Sequence, residues 1–179
     1  MAKAVVFVIQ GFEEIEAVAT IDLLRRAGVK TTIVSLGPTT KVTGGHQIAI
    51  ETDQTLAGLN PTEFDILIIP GGTIDYVNHA EFMSLIAKEA ARGQRLAAIC
   101  AAPVVFGRLG LLKGKKAVCY PGFEKELTEA QLVEAPVVTD GLITTAKGPS
   151  LAPLFALEII KLIVSPEAAD KVKQGILLT

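Results

Sequence analysis

The chain predicts an α/β fold: a mostly parallel sheet with helices on both faces. Short apolar runs rich in β-branched residues alternate with longer segments of helical period, the pattern of strands joined by crossover helices. All four central runs end at a Gly, Pro or Cys loop, where a strand hands over to a turn. With 179 residues, the chain is long enough to bury a sizeable core without disulfides, so residues 1–179 are expected to form one domain.

In chain order, AVVFVI at 4–9 reads as the first strand. EEIEAVATIDLLRRAG follows as a helix, with Ile15, Val18, Ala19, Ile21, Asp22 and Leu23 alternating between faces and Gly28 supplying the stop. Residues 30–36, 65–69 and 96–99 complete the central strands, and 117–120, 137–139 and 142–145 read as shorter additions. GGHQIAIETD at 44–53 alternates Ile48 and Ile50 with polar neighbours, which suggests a small strand or hairpin arm. Further helices are expected at 80–93, 101–109, 123–132, 149–164 and 166–174, the fourth of these with a proline near its first turn.

Seventeen basic and nineteen acidic residues give a net charge of −2 without any run of like charge, so neither nucleic acid nor an anionic membrane is an evident partner. Charges or Gly/Pro interrupt each apolar segment before the ~20 residues that a membrane span needs. Two cysteines are too few for a disulfide framework, and acidic residues follow the first apolar run closely. A reducing cytoplasm is the expected compartment.

In an open parallel sheet, ligands bind beyond the carboxyl ends of the strands. This rule selects three loops: GFEEIE after the first strand, Pro70-Gly71-Gly72-Thr73, and Cys100-Ala101-Ala102. Cys100 is either a small core hydrophobe or a nucleophile on a sharp strand-to-helix turn, crowded enough to need Ala98, Ala101 and Ala102 as neighbours. A helix start favours thiolate, so its pKa is expected to fall below the free value of about 8.5. Gly71 and Gly72 form either an ordinary tight turn or a pair of backbone donors for a substrate oxygen.

Glu13 and Glu14 suit a helix start and need no further role, whereas helical spacing turns Glu16 toward the carboxyl edge of the sheet and Cys100. His46 reads as a polar hairpin residue, His79 as a solvated helix-start residue, and Cys119 as core or packing near the site. Two histidines and two cysteines at no ligand-like spacing suggest no metal centre. A dinucleotide fingerprint is missing after the first strand, where carboxylates would meet the pyrophosphate.

Taken together, GFEEIEAVATIDLLRRAG, DILIIPGG, AAICAAP, GLLKGKKAVCYPG and DGLITTAKGP resemble the ThiJ/PfpI superfamily, specifically its DJ-one branch, over almost the whole chain. The resemblance implies a flavodoxin-like three-layer sandwich and a homodimer formed through the first helix. It maps a reactive cysteine onto Cys100, its protonated glutamate partner onto Glu16, and oxyanion-type backbone donors onto Gly71, Gly72 and Ala101. It also implies cofactor-free processing of small dicarbonyls or glycated adducts, of glyoxalase or deglycase type, or else redox sensing or chaperone action through cysteine oxidation.

Three positions depart from the family pattern. Ala101 stands where protease-like branches have histidine, which removes the obvious base for peptidase chemistry. Tyr120 replaces a histidine before Pro121, and a phenol with a pKa near 10 is a poorer proton shuttle than imidazole. Lys147-Gly148-Pro149-Ser150-Leu151 replaces the family's RGPGT. Tyr120 and His46, the latter at the position of a family arginine near the dimer interface, are expected around the site.

Overall fold

A computed structural model describes residues 1–178. The first half of the chain contains β1 (Lys3–Val8), α1 (Glu14–Arg26), β2 (Lys30–Ser35), β3 (Lys41–Thr43), β4 (Ala49–Glu51), β5 (Gln54–Thr55), β6 (Ile66–Ile69) and α2 (Ala80–Ala91). The second half adds β7 (Arg95–Ile99), α3 (Pro103–Arg108), β8 (Lys116–Ala117), β9 (Gln131–Leu132), β10 (Val137–Asp140), β11 (Ile143–Ala146), α4 (Ala152–Ile163) and α5 (Pro166–Gly175).

The main sheet has the order β10-β11-β7-β6-β1-β2-β5 and is parallel except for the β10–β11 pair. Within it, β2-β1-β6-β7-β11 follows the flavodoxin-like order, whose topological switch lies between β1 and β6. Period-two alternation assigns each strand residue to a face. Ala4, Val6 and Val8 pack with Ala17, Ile21 and Leu24 of α1 and with Phe155 and Ile159 of α4. Val5 and Phe7 pack on the other side with Phe82 and Ile86 of α2 and with Val105 and Phe106 of α3. The result is the three-layer sandwich expected from the alternating pattern. Among the described residues, no helix is long and apolar enough to cross a membrane.

Several elements differ from the sequence expectation. Residues 123–132 do not form a helix: a 3-10 turn at Glu124–Glu126 leads to β9, which pairs in parallel with β8. The reason is tertiary. Gly107 of α3 lets the Glu126 backbone approach so closely that a Cβ there would strike its carbonyl oxygen, and Gln131 N–H is drawn to Lys115 O. The helix expected at 101–109 begins only at Pro103, whose ring suits the first helical turn. The strand expected at 117–120 stops at Ala117, because Val118 N–H turns to the Thr145 hydroxyl. On α1, Ile15 and Val18 are 58% and 47% exposed, while Ala17, Thr20 and Ile21 face inward.

Candidate active site

The carboxyl ends of β1, β6 and β7 converge at the switch point, and an open pocket of about 500 Å³ lies above them. Glu13, His46, Gly72, Cys100, Ala101 and Tyr120 contribute to its lining, as do Thr73, Ile74, Phe123 and Pro149.

Cys100 follows β7 directly and sits in the left-handed region, at φ +65°. A non-glycine residue there costs roughly 1–3 kcal/mol and persists only where its surroundings enforce it. Two backbone bonds do so: Cys100 N–H donates to Ala146 O at 2.9 Å, and Tyr120 N–H donates to Cys100 O at 2.8 Å. The turn aims an almost buried side chain at the pocket, the geometry of a nucleophile elbow.

Glu16 is fully buried on the first turn of α1. The Glu13 carboxylate caps this helix by accepting from Glu16 N–H at 2.7 Å, which fixes the direction in which Glu16 projects. Gly71 N–H donates to Glu16 Oε2 at 2.7 Å. The expected oxyanion role of Gly71 is therefore corrected, because this donor is spent on holding Glu16. Gly71 also has to be small: a Cβ there would lie 2.6 Å from Cys100 Cβ and 2.9 Å from Glu16 Oε2. Gly72, at φ +91°, is hemmed in by the backbone of Gly11, Phe12 and Glu13. The N–H groups of Gly72 and Ala101 are the donors aimed at Cys100.

Glu16 Oε1 is buried without a hydrogen-bond partner among the described residues, and the Cys100 thiol is the side chain that interacts with this carboxyl. Burial is the main reason that the Glu16 pKa rises to about 7, against the pull of Gly71 N–H and Cys100 and with a small push from Glu13. Burial also raises the Cys100 thiol, to about 12 when the neighbouring carboxylate is charged, and the Gly72 and Ala101 N–H groups only partly offset this. The expected fall below 8.5 is thus overturned: the start of a six-residue helix cannot outweigh burial beside a carboxylate. The two groups titrate as a pair with fewer than two charges near neutrality. Sulfur becomes nucleophilic in the form where the single shared proton rests on Glu16, whose O–H can then donate to thiolate.

Glu14 carries a structural duty that the sequence does not reveal. Its buried carboxylate accepts from His46 N–H at 2.6 Å and from Ile48 N–H at 3.4 Å, and His46 Nδ1 lies 2.9 Å from its second oxygen. A Cβ on Gly44 would collide with this carboxyl, so the loop can close over it only with glycine there. Burial pushes the Glu14 pKa up, but the bonds from His46 and Ile48 outweigh it and the net shift is downward. Glu13, Glu14 and His46 bring ligand-type atoms within 4.8 Å of one another. Their oxygens, however, already cap α1 and anchor the loop, so the group is wired as a brace and not as an open cation site. His79 lies elsewhere, capping α2 through Nδ1 while Nε2–H donates to Leu36 O at 2.9 Å. Cys119 is buried against a separate cleft with Glu134 and Lys147.

Opposite pKa shifts two residues apart define a stability test. Glu14, depressed, contributes stability that is complete above pH 4.5 and is lost as pH falls through its lower folded value; Glu16, raised, makes wild type lose stability as pH climbs from 4.5 through about 7. In thermal melts across pH, the deficit of Glu14→Gln should vanish on the acid side, whereas Glu16→Gln should gain on wild type between 4.5 and 7. Parallel melting curves for all three proteins would contradict these assignments.

Fold and site together define an α/β protein with a cysteine elbow paired to a buried carboxyl. A family model described as the DJ-1/PfpI family matches residues 2–162, and the chain belongs to that family. It is 35% identical over 175 residues to DJ-1 homolog B of Arabidopsis thaliana, a match covering 95% of this chain but 40% of that relative, and it covers 44% of homolog A. The chain thus spans less than half the length of these two relatives. A Pyrococcus horikoshii protein named a deglycase is 31% identical over 156 residues, covering 85% of this chain and 93% of that protein. The solved structure described as Toxoplasma gondii DJ-1, oxidized, superposes with a TM-score of 0.93 at 34% identity over 99% of this chain and 98% of that one.

Proposed function

We propose that this protein converts small 2-oxoaldehydes to 2-hydroxy acids, in free or adduct form, without a cofactor and with Cys100 as nucleophile. The observation that carries this reading is the Cys100 elbow, held at φ +65° over an open pocket, with the buried Glu16 carboxyl and the Gly72 and Ala101 N–H groups against its sulfur. The Pyrococcus relative named a deglycase supports it.

In this reaction the sulfur bonds to the aldehyde carbon, and Glu16 protonates the resulting oxygen to give a hemithioacetal. The Glu16 carboxylate then takes the C–H proton and returns it to the adjacent carbon, while the hydroxyl proton passes between the neighbouring oxygens. A thioester of the 2-hydroxy acid results, and water cleaves it. Gly72 and Ala101 N–H hold the oxygen as it becomes negative. Carbon oxidation at one centre balances reduction at the other, so no external electron carrier is needed.

Purified protein should form lactate from methylglyoxal without glutathione. A rate no greater than buffer alone would defeat the reading. The apolar Ile15 and Val18 on α1 fit coverage by a second copy, so a homodimer is expected in sedimentation.

A second reading has one specific support, the description of the Toxoplasma relative as oxidized. Here Cys100 thiolate attacks peroxide, releasing water to form a sulfenate, and a second peroxide takes it to sulfinate. Two added oxygens on Cys100 in the intact mass, together with no lactate, would favour this sensor role.

A further inference from the structure

The proposed reaction ends in hydrolysis of an acyl group on Cys100, and Glu16 alone does not serve that step. Having lost its proton to the first oxygen, Glu16 remains buried beneath the sulfur, held by Gly71 N–H. The water has to arrive from the open side of the pocket. His46 is on that side, three-quarters exposed and part of the same lining as Cys100 and Ala101.

Its contact with Glu14 selects the tautomer that a general base requires. Glu14 is ionised and accepts only, so Nδ1 must donate to it; in the neutral ring this makes Nε2 the acceptor. The Glu14 carboxylate is itself fixed by backbone N–H of His46 and Ile48, so the orienting group does not move with the ring. A buried carboxylate, an imidazole and a thiol that forms acyl intermediates are the components of a nucleophile–base–orienter set, although here the base serves the water and not the sulfur.

We propose that His46, positioned by Glu14, is the general base for deacylation of Cys100, a role that rests on the 2-oxoaldehyde reading for its natural substrate but not for its chemistry. Water oxygen bonds to the thioester carbon as one of its protons passes to His46 Nε2. The C–S bond breaks with its electron pair on sulfur, the acid departs, and the imidazolium returns the proton to the Cys100–Glu16 pair. That pair again holds one proton.

The test uses p-nitrophenyl acetate, whose nitrophenolate burst reports acylation and whose steady rate reports hydrolysis of acetyl-Cys100. Wild type should show a burst that Cys100→Ala lacks. His46→Gln should keep the burst amplitude, which confirms an intact elbow, while its steady rate falls by roughly 10²-fold. Glu13 and Glu14 from the α1 entry act on His46, and Cys100 and Tyr120 are the other titratable residues of the same pocket lining. Hydrogen bonding to Glu14 raises the His46 pKa above 6.5, so the steady rate of wild type should drop as pH falls through a value above 6.5. His46→Gln should lose that limb, which a merely structural role would leave in place.

An unchanged steady rate and acid limb in His46→Gln, or no burst in wild type, overturns the inference. Lactate formation from methylglyoxal is measured in parallel. If deacylation depends on His46 but no lactate forms, the 2-oxoaldehyde reading fails while the base assignment holds; if lactate forms and deacylation ignores His46, the reverse is established.

Discussion

Cys100→Ala should reduce lactate formation to the buffer rate, a loss on the order of 10³-fold or more, because Cys100 supplies the thiol that lines the pocket and the proposed covalent step runs through it. Cys119 is not a substitute: it is buried in a different cleft, and Glu124 adds to the burial that raises its thiol pKa to about 11. Cys119→Ser should therefore keep full activity. The same site also allows a stability check. Alanine retains the left-handed strain at position 100 whereas glycine relieves it, so Cys100→Gly should melt at or above Cys100→Ala. Residual lactate formation by Cys100→Ala would assign the chemistry to another residue.

Gly72→Ala should produce the largest structural effect of any single methyl group in the site. Its backbone sits at φ +91°, and the added Cβ would press on Glu13 N, Gly11 O and the Phe12 backbone, none of which is a flexible side-chain end. Strain and overpacking together are expected to cost about 3 kcal/mol or more. For a chain of this size, this lowers the melting temperature by roughly 10 °C. Activity should fall further than stability alone predicts, because the Gly72 N–H itself faces the sulfur and moves with the strained loop. A melting temperature and lactate rate equal to wild type would mean that the loop relaxes freely and that the Gly72 amide contributes nothing.

Local patterns reveal the frame of this site and leave out its wiring. The apolar run ending in LAAIC, together with the alanines after it, is enough to place Cys100 at a strand-to-helix turn, since both signals lie within eight residues. Helical spacing likewise brings Glu16 to the sheet edge. Three features depend on contacts between distant segments and are not legible. Gly71 N–H is spent on Glu16, 55 residues away; Glu14 reaches 32 residues forward to His46; and Glu126 is drawn onto Gly107 in place of a helix. The Cys100 pKa departs from expectation for the same reason, as a helix start is visible in a sequence and burial against a carboxyl is not. A glycine at 44, facing an acidic helix start, is the one available hint of the Glu14 brace.

The central claim is that Cys100 and Glu16 share a proton, and thiolate absorbance against pH in wild type and Glu16→Gln tests it most directly. In wild type the last thiol should ionise only well above the ordinary value of about 8.5, because Glu16 is by then charged beside it. In Glu16→Gln, without that charge, the high limb should disappear and ionisation should finish at lower pH. Superimposable curves centred near 8.5 in both proteins would contradict the pairing and return Cys100 to the core as a small hydrophobe.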